Sequence, residues 1–128
     1  MRLLTTVCML VVMALGSAPL TAQGVEIKRG ANVLHGSAAI TSSPATIDAK
    51  KVEKATPEYR TIKADGVRKG SARYEILVAK MHKRIKKASK AAADATGCDF
   101  VVRKGDIKDS KGLQVVDLTQ EVIDELES

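Results

Sequence analysis

The chain has 128 residues, 45% apolar but only 2% aromatic, with no Trp, one Phe and two Tyr. Its formal charge is +6, from 21 Lys and Arg against 15 Asp and Glu. So few large side chains allow one small domain with a thin core. Two cysteines and two widely separated histidines exclude a disulfide-dense scaffold and a finger-type metal site.

In chain order, Arg2 followed by the 13-residue apolar run Leu3–Leu15 and the small residues to Ala22 reads as a cleaved secretory signal peptide. The run is too short to span a bilayer. Cys98 is then the sole mature cysteine and reads as a buried small hydrophobe. Residues 23–43, rich in Gly, Ala and Ser, read as a flexible lead-in. Within it Val25–Ile27 and Asn32–Leu34 have the composition of short strands, and His35 reads as an exposed bystander.

Pro44-Ala-Thr-Ile-Asp48 reads as a strand, and Lys50–Ala55 as one helical turn. Thr56-Pro57-Glu58 is a strong helix start: Thr caps, Pro fits the first turn, and Glu meets the positive helix end. That helix runs to about Asp65. Gly66-Val-Arg-Lys-Gly70 is a basic turn and lacks the Lys that a phosphate loop places after its last Gly. Ser71–Gly97 is the long element. Tyr74, Leu77, Val78, Met81, Ile85, Ala88, Ala92 and Ala95 recur at three- and four-residue steps. Ser71 is the N-cap and Gly97 the stop. Cys98-Asp-Phe-Val-Val102 then reads as a buried strand that Ile107 extends. Leu113–Val116 reads as a returning strand, and Thr119 as the cap of a final helix over Gln120–Glu127.

Charge is segregated along the chain. Residues 23–49 are neutral, Lys50–Lys90 carry 14 bases against 4 acids, and Ala91–Ser128 carry 4 bases against 9 acids. A basic middle of this kind points to an acidic partner. The candidate binding residues are Arg68, Lys69, Lys80, Lys83, Arg84, Lys86, Lys87 and Lys90, with Leu77, Met81 and Ile85 as weaker apolar contacts. Those three apolar residues are expected chiefly to pack on the first arm.

Two patterns carry a resemblance. Ala45-Thr-Ile-Asp-Ala-Lys-Lys-Val52 followed by Ala55-Thr-Pro-Glu-Tyr59 resembles the opening of the OmpH/Skp family of periplasmic chaperones. Gly97-Cys-Asp-Phe-Val-Val102 with Val116-Asp-Leu-Thr-Gln-Glu-Val-Ile123 is similar to that family's closing strand and last helix. The resemblance spans about residues 44–126. This hairpin is shorter than the family's, and Glu53 stands where a second apolar residue is usual.

The fold expected is α+β: a small β body, a protruding antiparallel helical hairpin over about residues 57–96, and a C-terminal helix, within a domain at 44–128. What the resemblance implies is a periplasmic homotrimer that holds unfolded outer-membrane proteins among basic helices. No cofactor, metal or catalysis is expected: His35, His82 and Cys98 lie far apart, and the chain shows no paired-carboxylate site on a firm scaffold and no Ser-His-Asp order. The thin core independently points to self-association. The alternative is a secreted cationic protein lying on anionic lipid or lipopolysaccharide, although no Trp or Phe marks an interfacial helix face. Nucleic acid is disfavoured by the signal peptide and by the lack of aromatics to stack bases.

Overall fold

Phe100-Val-Val102 is apolar on both faces of an extended segment, so a strand there must be covered on both sides. The computed structural model, which describes residues 24–128, meets that requirement. The expected signal peptide lies outside these residues. The elements are β1 (Glu26–Ile27), β2 (Val33–His35), β3 (Pro44–Ile47), α1 (Ala49–Lys54), α2 (Pro57–Ala64), α3 (Ala72–Thr96), β4 (Phe100–Arg103), β5 (Ile107–Asp109), β6 (Val116–Asp117) and α4 (Thr119–Glu127). The architecture is α+β. One sheet has the order β2-β4-β3-β6, with β4 and β6 parallel to β3 and β2 antiparallel to β4. β1 and β5 form a separate antiparallel ribbon.

All four residues of β3 are buried, as befits a strand paired on both edges, and its Pro44 sits at the strand's first position. On one face of the sheet, Ala45, Ile47 and Val101 join Met81, Ile85, Ala88 and Ala92 of α3 and Val122 of α4 in the main core. Cys98 is buried in the same cluster, as expected. On the other face, Phe100 and Val102 pack with Val25 under Ile27, Val33, Ile107 and Leu113. Phe100 is fully buried. Burying a side chain of that kind contributes about 1.5–3 kcal/mol.

The second face corrects the expected flexible lead-in. Residues 25–38 supply β1 and β2 and cover Phe100, so the fold begins well before Pro44. His35 is half-buried in the β2–β4 ladder, opposite Val101. The cover that a thin core demands is in part supplied from within the chain.

Asp99 fastens this segment. Its carboxylate accepts hydrogen bonds from the Thr41 hydroxyl, from the Ser42 amide at 3.0 Å and hydroxyl at 3.1 Å, and from the Ser43 amide at 3.1 Å. Partial burial pushes the carboxyl up. The Ser42 amide, the Thr41 hydroxyl and the Ser43 amide outweigh it and bring the pKa down to about 2. Gly36 passes so close that a Cβ there would overlap the Asp99 carbonyl oxygen, and its φ of 77° suits glycine. Asp106 is a second fastener. It is buried and accepts from the Asn32 amide at 3.0 Å and from Arg103 at 3.2 Å.

Three local readings change. Ile107 does not extend β4: a turn at 104–105 ends that strand, and Ile107 opens β5, which pairs with β1 instead. The segment after Gly112 does not return along β4. β6 instead runs parallel to β3, and the Leu118 amide bonds to the Thr46 carbonyl at 2.9 Å. Thr119 does not cap α4. Its hydroxyl donates to Asp117 at 2.5 Å and accepts from the Asp48 amide at 2.9 Å, and α4 starts at Thr119 without a side-chain cap.

Candidate functional site

α3 forms because its two ends are specified locally and its middle is amphipathic. The Ser71 hydroxyl accepts the Tyr74 amide at 3.2 Å. Gly97, at φ 76°, adopts the left-handed conformation that stops the helix, and its amide returns to the Ala93 carbonyl. α2 is capped as expected: Thr56 accepts from the Tyr59 amide at 3.2 Å, with Pro57 in the first turn. Arg73 pairs with Asp65 at 2.5 Å across the connecting turn.

The stripe on α3 is buried from Met81 to Ala92. Tyr74, Leu77 and Val78 are half-buried and Ala95 is exposed. Met81 and Ile85 do not merely meet the first arm. They lie in the main core at 5% exposure each, which removes both as apolar contacts for a partner. Beyond its first two turns, α3 therefore lies on the sheet and on α4, with α2 beside it at Tyr59 and at the Glu58–Arg84 pair. The turn at Asp65–Ala72 and the first turns of α3 are the exposed part of the hairpin.

The eight basic residues separate into four groups. Arg68 and Lys69 are exposed in the α2–α3 turn. Lys80, Lys83, Lys87 and Lys90 are exposed on the side of α3 opposite its core stripe. From Lys80 to Lys90 the row extends about 15 Å, at 1.5 Å per residue. Arg84 is withdrawn from that row: its Nε lies 3.0 and 3.1 Å from the two Glu58 oxygens, and its Nη2 lies 2.9 Å from Oε1. Burial pushes the Glu58 carboxyl up, but the Arg84 hydrogen bond and charge hold it below its usual range. Lys86 turns to the other flank, where with His82 it lines a cleft against α1 and the sheet.

Sequence reading missed two residues. Glu58 reads locally as a helix-start acid, yet it binds a guanidinium 26 residues away. Ile76 is 56% exposed and stands at positions 76, 80, 83 and 87 in line with the lysines. It is a large apolar residue out of phase with the stripe, and that mismatch is the signal that finds it. Among the described residues no helix is long and apolar enough to cross a membrane.

The surface therefore has the means to hold an acidic or locally anionic chain by charge, with one apolar contact at Ile76. Comparison with family models, curated proteins and solved structures returns no match to this chain.

Proposed function

We propose that this is a secreted, OmpH/Skp-like holdase that retains unfolded outer-membrane proteins in the periplasm through its basic helix, self-associating as the resemblance implies. The observation that supports it is the row Lys80, Lys83, Lys87 and Lys90, exposed opposite a stripe that is occupied by the core. Binding is then chiefly electrostatic, and capture strengthens at low salt. Arg68 and Lys69 extend the same positive field at the hairpin turn, whereas Arg84 contributes structure instead.

The test dilutes a urea-unfolded outer-membrane β-barrel protein into buffer with the purified mature chain. Suppressed aggregation at low salt, weaker suppression at high salt, and loss of suppression in the triple variant Lys80→Glu, Lys83→Glu, Lys87→Glu are the expected results. Equal suppression by the triple variant overturns the reading.

A second reading has one observation in its favour. Ile76 in line with three lysines is an apolar residue flanked by cations, the arrangement that anionic lipid or lipopolysaccharide recruits. Co-sedimentation with anionic vesicles at low salt, abolished by Ile76→Asp, selects that surface over an unfolded chain.

A further inference from the structure

Parallel strands tend to bear ligands at their carboxyl ends, where the chain leaves the sheet and a crevice opens. In β3 and β4 those ends are Ile47 and Arg103, which pair in register. A cleft of about 180 Å³ lies there, between α1, α3 and the sheet. A cavity of about 150 Å³ takes a benzene-sized molecule, so this one suits a ligand of roughly eight non-hydrogen atoms. Its floor is apolar: Leu34 of β2, Ile47 of β3 and Ile85 of α3. Its rim is charged, with Lys86, Arg103 and Glu53.

We propose that this cleft binds a small carboxylate carrying a short branched apolar group. Lys86 makes no ion pair with an acid among the described residues and stands ready for an anion. Arg103 holds Asp106 through Nη2 at 3.2 Å, and its side chain is half-exposed, which leaves further N–H donors for a second carboxylate. The ligand's alkyl group lies on Leu34, Ile47 and Ile85. Two sources share this chemistry: a simple branched acid, and a free aliphatic amino acid whose ammonium meets Glu53. The site is separate from the Lys80–Lys90 row and does not depend on holdase activity.

The test titrates the ¹⁵N-labelled mature chain with 4-methylpentanoate, with leucine, and with the neutral 4-methylpentan-1-ol, following amide shifts. For ligands of this size a dissociation constant of about 1 mM is expected. The amides of Ala49, Lys86 and Arg103 shift with at least one carboxylate and not with the alcohol. Lys86→Gln, an exposed change that leaves the core intact, weakens binding about tenfold, and Lys86→Arg restores it. Tighter binding of leucine supports the proposal and assigns Glu53 to an ammonium; tighter binding of the acid supports it and makes the ligand a simple carboxylate. Shifts with the alcohol equal to those with the acid, no shifts with either carboxylate, or unchanged affinity in Lys86→Gln overturn it.

Discussion

The acids beside the strands, together with Glu58 of α2, and the bases along α3 are treated differently by the fold. Asp99, Asp106, Asp117 and Glu58 are each engaged by specific donors, and each has its carboxyl held below the usual range. Lys80, Lys83, Lys87 and Lys90 are exposed and make no ion pair among the described residues. The acids are bound within the molecule, whereas the bases of the row are not, and the proposed function gives them a client to meet. The formal charge of +6 averages over regions of unlike sign: of these four acids only Glu58 lies against the Lys80–Lys87 stretch of α3, where Arg84 holds it.

The largest expected effect is at Asp99. Asp99→Ala removes the acceptor for the Ser42 and Ser43 amides and the Thr41 and Ser42 hydroxyls at once. The loss is about 2 kcal/mol in urea unfolding, since water reaches the exposed side of the site and replaces part of what is lost. Client retention should be unchanged. If Asp99→Ala leaves stability intact but weakens retention, the division between structural acids and functional bases fails.

The same carboxylate sets an acid limb. Its folded pKa of about 2 lies below the unfolded value, so its contribution is complete above the unfolded pKa and is lost as pH falls from about 5 towards 2. Asp106, Asp117 and Glu58 are shifted in the same direction and add to the same limb. Because Asp99 is an exposed residue, solvent screening reduces its own share to about 1 kcal/mol. In Asp99→Asn the acid limb of a thermal-midpoint profile becomes shallower. A profile identical to the parent's assigns the limb to the other three acids.

How far these roles were legible depends on range. Thr56-Pro57-Glu58, Ser71 and Gly97 act within four residues, so the helix ends could be read directly. The core stripe of α3 follows from periodicity alone between Met81 and Ala92. The pairing of β6 with β3, the hydrogen bond from the Asp48 amide to the Thr119 hydroxyl and the Glu58–Arg84 pair join residues far apart, and no local pattern encodes them. The role of residues 25–38 had a weak signal. A strand with Phe100 and Val102 on one face and Val101 on the other needs two covers, and the helices account for only one. The basic row was visible as composition. Its separation from Arg84 and Lys86 was not, because that separation depends on which neighbours flank α3.

The smallest effect sharpens the comparison most. Lys83 lies within one turn of Lys80, Lys86 and Lys87, and like charges at these spacings destabilise a helix by a few tenths of a kcal/mol per pair. Gln has nearly the helix propensity of Lys, so Lys83→Gln changes little besides that repulsion. It should raise stability by about 0.5 kcal/mol at low salt, with the gain shrinking as salt screens the row. A gain of that sign means that the row costs the fold something, and its benefit must lie in what it binds. Retention of an unfolded client by the same variant should then fall while the thermal midpoint rises. If Lys83→Gln instead lowers the midpoint, the lysines belong to the scaffold as the acids do, and the two regions are no longer different in kind.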